Sequence, residues 1–136
     1  MHVRSGWHTF GMKILKHTVV FDTADLAAES TFWAGLLGGS VEEEDDWHTV
    51  RVDGEAMVAF QLAPNHVKPD WPDGEPQQIH LDLYVDDIRS AEEKALVLGA
   101  TLLHPASQLD AEHGFRVYAD PSGHPFCLCW DPAPAA

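Results

Sequence analysis

The sequence predicts an α+β domain built from two βαβββ modules, whose strands form a curled, mixed β-sheet cup with the helices outside. The main observation is a repeat that begins near Lys16 and again near Ile79. Each copy starts with a histidine in a β-rich run, passes acidic residues that can cap a helix, and continues as a helical pattern ending at glycine. Three strand-like segments follow each helix, so both halves have the same order of elements.

In the first module, the helical pattern ends at Gly38 and Gly39. The stripe of this helix that should cover the sheet consists of Leu26, Ser30, Trp33 and Leu37. Three strands are expected after the helix, at residues 40–44, 47–52 and 55–63. Asp53 and Gly54 fit a hairpin turn between the last two strands.

In the second module, the helical pattern ends at Gly99. The corresponding stripe consists of Ile88, Ala91, Ala95 and Leu98. Three strands are expected at residues 101–105, 115–119 and 125–130, with residues 120–123 as the last turn.

The repeat also suggests how the chain is divided. Residues 1–11 are expected to be an N-terminal extension, non-native or disordered, and residues 12–136 a single domain. Within that domain, module one spans residues 13–63, a proline-rich connector spans 64–77, and module two spans 78–130. A linker between two independent domains is the alternative. One joint domain is favoured because a half of about 60 residues would bury too little surface to be stable alone.

Composition excludes several classes of function. Eight Lys and Arg residues against 22 Asp and Glu residues give a formal net charge of −14, which repels nucleic acids and attracts cationic small molecules. An acidic surface that only keeps the protein in solution is the more common explanation of such a charge. No apolar run approaches the length of about 18 residues that a membrane span requires. The two cysteines, Cys127 and Cys129, are not expected to form a disulfide, and a reducing, cytoplasmic setting is predicted.

Strand alternation predicts which side chains line the cup. In the fifth strand, His80, Asp82 and Tyr84 share a face opposite a leucine- and valine-rich face that the helix should cover. In the first strand, His17 shares a face with Phe21. The polar lining of the cup is therefore predicted to be His17, Gln61, His80, Asp82 and Cys127.

Each of these side chains also has a structural explanation. A single strand histidine is more often a hydrogen-bonded core or rim residue than a metal ligand, although two at matched repeat positions make both explanations equally reasonable. Gln61 can be an ordinary polar contact, and Cys127 can be a small buried hydrophobic residue.

The pattern of a β-strand histidine, an acidic turn, a helix ending in Leu-Gly and a closing Asp-Pro-x-Gly-x-x-Phe strand resembles the vicinal-oxygen-chelate superfamily. This superfamily contains glyoxalases, bleomycin-resistance proteins and ring-cleaving dioxygenases. The resemblance covers residues 13–130, and the stretches WPDGEPQQIHLDLYVDD, LGAT and DPSGHPFCLCW are similar to those of a glyoxalase-like subgroup. It implies a cup-shaped domain that commonly forms a homodimer.

The resemblance also implies positions for metal ligands, on the first, fourth, fifth and eighth strands. His17 and His80 match the two histidine positions, whereas Gln61 and Cys127 stand where the metal-dependent relatives have glutamates. A divalent metal such as zinc, nickel, iron or manganese is the cofactor that the resemblance implies. The loss of both carboxylates argues against standard glyoxalase chemistry.

Two functions follow. The favoured one is a protein that binds and sequesters an aromatic or cationic compound, such as an antibiotic, in the manner of bleomycin-resistance relatives. Trp71 is expected at the pocket rim, while Trp33 and Trp130 are expected in the core. The predicted ligand contacts are His17, Phe21, Gln61, Trp71, His80, Asp82, Tyr84, Tyr118 and Cys127.

The alternative is an enzyme: a metal-dependent lyase, isomerase or dioxygenase that holds its metal with His17 and His80. His80 and Asp82 are the candidate catalytic residues, and they could also act as a metal-free acid–base pair. A purely structural interaction module is disfavoured because it would not need a polar cup.

Overall fold

Ten elements form the fold in a computed structural model that describes residues 16–70 and 79–132. The first half contains β1 (Val20–Thr23), α1 (Leu26–Leu37), β2 (Ser40–Glu43), β3 (Trp47–Val52) and β4 (Glu55–Leu62). The second half contains β5 (Leu81–Tyr84), α2 (Ile88–Leu98), β6 (Thr101–His104), β7 (Gly114–Ala119) and β8 (Pro125–Trp130). The predicted βαβββ order is confirmed in both halves. The predicted extension at residues 1–11, Trp71 and part of the connector lie outside the described residues.

Each module forms its own four-stranded mixed sheet. The strand orders are β1-β4-β3-β2 and β5-β8-β7-β6, with the first strand parallel to the fourth in each module. The predicted α+β architecture is thus confirmed, but the sheets do not close into one continuous cup. β1 and β5 each end a separate sheet, because each pairs only with the last strand of its own module in the described chain.

Both helices begin and end at the signals that the sequence contains. The side chains of Asp25 and Asp87 accept hydrogen bonds from the backbone N–H groups of Ala28 and Ser90, at 3.0 and 3.2 Å. These bonds satisfy donors that the first helical turn leaves without an intrahelical partner. Gly38 and Gly99 end the helices with positive φ angles of 74° and 118°, which glycine adopts without steric cost.

The main core joins the two modules. Trp33 of α1 lies edge-on to Phe126 of β8, with ring centroids 5.1 Å apart, and also contacts Phe21 of β1 at 5.4 Å. The predicted helix stripes are confirmed, since all their members are buried or pack against this core. Phe32 and Glu29 are buried as well, although the predicted stripe did not include them.

The faces predicted for the first strand are wrong. Phe21 pairs with Phe60 and points to the core, whereas Gln61 pairs with Asp22 on the opposite face. His17 precedes β1, which begins only at Val20, so strand alternation does not fix the direction of its side chain. We call the side of each sheet opposite the helices its open face.

Neither helix in the described part of the chain is long and apolar enough to cross a membrane.

Candidate functional site

A polar cluster lies on the open face of the second sheet. His80 and Asp82 are two residues apart at the start of β5, and Asp82 is paired with Cys127 of β8. The Nε2 atom of His80 lies 3.1 Å from Oδ1 of Asp82. The donor atoms of His80, Asp82 and Cys127 all lie within 4.8 Å of one another. The predicted face for His80, Asp82 and Tyr84 agrees with this geometry, because the alternate residues Leu81, Leu83 and Val85 pack against the core.

The cluster lies in a cleft of about 380 Å³ that we call the β5 cleft. Its walls include the exposed rings of Tyr84 and Phe115, and Asp131 adds a second carboxylate to that of Asp82. The β5 cleft therefore combines aromatic surface with negative charge.

The two thiols of the cleft are held in their neutral form. Burial raises the pKa of Cys127 to about 12, and the charge of Asp82 and a hydrogen bond to it act in the same direction. Burial and the charges of Asp82 and Asp131 also raise the pKa of Cys129. A protonated thiol is a weak nucleophile, so neither cysteine is activated for attack on a ligand.

A second cluster, buried between the modules, consists of Glu29 of α1 and Asp120 and His124 of the β7–β8 turn. We call it the junction triad. The Nδ1 atom of His124 lies 3.0 Å from Oε2 of Glu29 and 2.9 Å from Oδ2 of Asp120. Trp33 donates its indole N–H to Asp120 at 2.9 Å, and the backbone N–H of Ser122 donates to both carboxylates.

The protonation of the junction triad follows from this geometry. Burial raises the pKa of Glu29 to about 7, although its hydrogen bond to His124 opposes the shift. Burial alone would lower the pKa of His124, but hydrogen bonds to Asp120 and Glu29 outweigh it and raise the pKa to about 10. Burial would raise the pKa of Asp120, but the hydrogen bonds with His124 and Glu29 lower it. The triad thus contains an imidazolium, an ionised Asp120, and a Glu29 that titrates near neutral pH.

The donor atoms of the junction triad also lie within 4.8 Å of one another, yet they fit a metal ion poorly. Their carboxylate oxygens already accept N–H bonds from Trp33, Ser122 and His124. A metal would displace these bonds and bring a further charge into the core. The triad is better explained as a hydrogen-bonded network than as a metal centre.

A sequence model described as a glyoxalase-like domain matches residues 18–129. The chain belongs to the glyoxalase-like family. The match runs through both modules, from before β1 to the next-to-last residue of β8, so the resemblance predicted from the sequence is confirmed.

Solved structures share the fold of this glyoxalase-like protein at low sequence identity. The fosfomycin resistance protein FosX from Mesorhizobium loti has a TM-score of 0.67 at 17% identity, covering 90% of this chain and 96% of that one. A glyoxalase-related enzyme from Fulvimarina pelagi has a TM-score of 0.63 at 19% identity, covering 90% and 94%. A hypothetical protein, SA1046 from S. aureus, has a TM-score of 0.63 at 13% identity, covering 90% and 98%. No curated protein matches the chain significantly in sequence.

The predicted site residues of this glyoxalase-like protein do not all lie together. His80, Asp82, Tyr84 and Cys127 meet in the β5 cleft. His17 is exposed ahead of β1 and belongs to neither cluster of possible metal ligands in the described chain. Gln61 is exposed on the open face of the first sheet.

The other predicted ligand contacts lie elsewhere. Tyr118 is fully buried in the core, where its hydroxyl donates to Glu92 at 2.7 Å and its ring stacks on Phe126. Tyr118 therefore lies on the helix side of its sheet, which corrects its prediction as a ligand contact. Phe21 borders a different cleft, between the modules. Trp71 lies outside the described residues.

Sequence reasoning missed the junction triad. The sequence predicts only a turn at residues 120–123, and the predicted stripe of α1 does not include Glu29. The i, i+4 spacing of Asp120 and His124 was a visible signal, since it lets a turn place both side chains together. The contact with Glu29, more than 90 positions away, has no local signature.

Proposed function

We propose that this glyoxalase-like protein binds a small aromatic or cationic molecule in the β5 cleft and sequesters it without converting it. The observation that carries the proposal is the pairing of two carboxylates, Asp82 and Asp131, with the exposed rings of Tyr84 and Phe115. A flat cation would bind favourably to both kinds of group, because the faces of the aromatic rings attract positive charge and the carboxylates neutralise it. The protonated thiols of Cys127 and Cys129 give the floor of the cleft a neutral surface.

An antibiotic is one such molecule, and a resistance-type role fits this chemistry. Two solved structures with the same fold are named as fosfomycin resistance proteins, at 17% and 11% identity. At that identity they support the fold alone, so the resistance role depends on the chemistry of the β5 cleft.

A matched pair of probes tests the proposal. Phenyltrimethylammonium and tert-butylbenzene have nearly the same shape and differ in charge, so a titration followed by NMR separates charge recognition from burial. We expect the cation to bind and the neutral isostere to bind at least about five-fold more weakly, the equivalent of about 1 kcal/mol. Equal affinity for both probes would contradict the proposal.

Asp82→Asn is the matching variant, because it removes the charge and keeps the side-chain shape. We expect it to weaken binding of phenyltrimethylammonium about five-fold, given the energy of one partly exposed charge. Asp110→Asn, which removes an exposed carboxylate outside the β5 cleft, is the control and should bind as the parent does.

A metal centre is the second candidate function, and the clustered donor atoms of His80, Asp82 and Cys127 favour it. A nitrogen, an oxygen and a sulfur donor suit zinc or a similar borderline divalent metal, which would have to displace the proton of the Cys127 thiol in order to bind it. Such a metal would polarise a ligand oxygen.

Elemental analysis of protein purified without a chelator tests this candidate. If the metal is present, His80→Ala should lose it, whereas His104→Ala, on an exposed position of β6, should retain it. His17→Ala separates the two proposed ligand sets, since loss of metal in that variant would favour the pair of His17 and His80. Absence of metal from the parent protein would eliminate the candidate.

A second copy of this chain is the proposed partner. Both open faces carry exposed apolar side chains, among them Met57 on the first sheet and Tyr84 and Phe115 on the second. A homodimer that covers these faces would bury them and complete the walls of the β5 cleft.

A further inference from the structure

A second cleft lies between the modules and shares one wall residue, His80, with the β5 cleft. It has a volume of about 590 Å³ and is bordered by the segment around β1, the start of β5, and the β7–β8 turn. We call it the junction cleft. Phe21, Val19 and Leu81 supply apolar walls, and His66 and His124 supply polar groups.

His124 has one nitrogen committed and one available. Its Nδ1 atom is hydrogen-bonded to both carboxylates of the junction triad, at 3.0 and 2.9 Å. Its Nε2 atom has no hydrogen-bond partner among the residues that the structure describes, and the side chain borders the junction cleft. Because the ring is an imidazolium, Nε2 carries a hydrogen and acts as a donor.

His66 supplies the complementary group. Its Nε2 atom lies 2.9 Å from the backbone carbonyl oxygen of Ser122, which can only accept, so Nε2 must carry the hydrogen. In neutral His66 the Nδ1 atom is then an acceptor. The ring centroids of His66 and His124 are 5.3 Å apart, so one small molecule can reach both rings.

The surrounding contacts hold this pair in place. Ser122 shares a 2.7 Å hydrogen bond with the hydroxyl of Thr23, which ties the β7–β8 turn to β1. The ring of Phe21 lies 5.0 Å from that of His124 and limits its rotation. The donor and the acceptor are therefore preorganised before any ligand enters.

Charge decides which ligand suits the junction cleft. The positive charge of His124 is balanced by Asp120, with Glu29 at 3.0 Å and Asp22 on the wall. An anion thus finds little net attraction, and a cation would approach an imidazolium. An uncharged molecule with paired polar groups fits best.

We propose that the junction cleft is a second binding site, which takes a flat, uncharged molecule bearing a carbonyl group beside an N–H or O–H group. The carbonyl oxygen accepts from Nε2 of His124, and the neighbouring N–H or O–H donates to Nδ1 of His66. The apolar body packs against Phe21. This site goes beyond the proposed function, which concerns a cationic ligand in the β5 cleft.

Three probes that share one ring test the proposal: benzamide, benzoate and benzylamine. Titration into the whole chain, followed through the imidazole signals of His66 and His124 by NMR, reports on the junction cleft directly. We expect benzamide to shift both sets of signals in a saturable way, with benzoate and benzylamine at least about five-fold weaker. Tighter binding of benzoate than benzamide, or no saturable shift with benzamide, would overturn the proposal.

Variants assign the binding to this pair of histidines. His66→Phe keeps the junction triad intact and removes the acceptor, so we expect benzamide affinity to fall about five-fold or more. His124→Gln removes the donor, and circular dichroism must first establish that it folds, because it leaves Glu29 and Asp120 without their partner. Unchanged affinity in His66→Phe would overturn the proposal even if His124→Gln does not fold.

Asp131→Asn separates this inference from the proposed function. Asp131 borders the β5 cleft and not the junction cleft, so this variant should weaken cation binding and leave benzamide binding unchanged. Loss of cation binding without loss of benzamide binding would show two distinct binding sites. Loss of benzamide binding in Asp131→Asn would overturn the assignment to the junction cleft.

Discussion

At the scale of single residues, Glu29 is the most unusual side chain in the described chain. It is a fully buried carboxylic acid on a helix whose other buried residues are uncharged: Leu26, Ser30, Phe32 and Trp33. Hydrogen bonds from Ser122 and His124 compensate for its removal from water, and both partners come from the other module. One acid therefore couples the protonation state of the core to the contact between the modules.

The pH dependence of stability follows from these pKa shifts. The pKa of Glu29 is raised from 4.5 to about 7 in the folded chain, so folded Glu29 keeps a proton that the unfolded chain loses. Its contribution to the free energy of unfolding is therefore complete below about pH 4.5 and is lost as the pH rises to about 7. The pKa of His124 is raised from 6.5 to about 10, which adds a further loss of stability between about pH 6.5 and about pH 10. The free energy of unfolding, measured in urea, should therefore fall from about pH 5 to about pH 9.

Glu29→Gln tests the assignment. Because glutamine does not titrate, the variant should lose the fall between about pH 5 and pH 7 and keep the fall at higher pH that His124 causes. Glu93→Gln, at an exposed position on α2, should follow the parent curve. An identical slope in the parent and in Glu29→Gln would show that another group controls stability in this range.

At the scale of elements, the end of α1 shows two glycines with different tasks. Gly38 needs its positive φ of 74°, and a Cβ atom there would meet nothing within 4 Å. Gly39 needs space instead, since a Cβ atom would lie 2.3 Å from the backbone carbonyl oxygen of Arg51 in β3. The first glycine ends the helix, and the second lets β2 begin against its neighbour.

The two glycines should respond differently to alanine. Gly38→Ala should cost about 1 kcal/mol, the usual penalty of a left-handed conformation for a residue with a Cβ atom. Gly39→Ala should cost more, about 2–3 kcal/mol, because the clash is with backbone that cannot rotate away. Chemical denaturation of both variants measures the difference. A smaller loss for Gly39→Ala than for Gly38→Ala would contradict the packing argument.

Most elements could be predicted from the sequence because their signals are local. Asp25 with Gly38, and Asp87 with Gly99, mark both helices by chemistry that acts within a few residues. The start of β1 could not be predicted, because a β-rich run does not show where pairing with β4 begins. For the same reason, the sequence predicts that Phe21 faces the cup, whereas its side chain packs in the core.

The candidate site was only partly predictable, for the same reason. His80 and Asp82 share a face by the two-residue period of a strand, which the sequence displays. The alternation of β8 predicts that Cys127 faces the cup, and the parallel pairing of β5 with β8 brings it beside Asp82. The junction triad depends on how α1 of one module packs on a turn of the other, and no periodic pattern encodes that contact.

At the scale of the whole molecule, the two sheets meet through their helix sides, and neither described helix covers an open face. Phe115 is 45% exposed and Met57 is 47% exposed on those faces. Apolar side chains on the flat faces of sheets favour association with a second copy of the chain. The open faces are therefore the surfaces through which we expect the homodimer to form.

A charge on an open face tests this expectation. Phe115→Asp should weaken self-association at least about ten-fold, because it places a charge among apolar contacts. Val97→Asp, on the solvent side of α2 where the residue is 80% exposed, should leave self-association unchanged. Analytical ultracentrifugation over a concentration series measures both. A parent chain that stays monomeric at high concentration would contradict the homodimer.

The junction triad makes the two halves of this repeat non-interchangeable. Four positions after the helix N-cap, α1 has Glu29 where α2 has Ala91. The β7–β8 turn contains Asp120 and His124, and the β3–β4 turn of the first half has no such pair. A tandem fusion of two first halves would contain Glu29 without Asp120 and His124. A fusion of two second halves would contain Asp120 and His124 without Glu29. The duplication has thus become directional: each half carries what the other lacks.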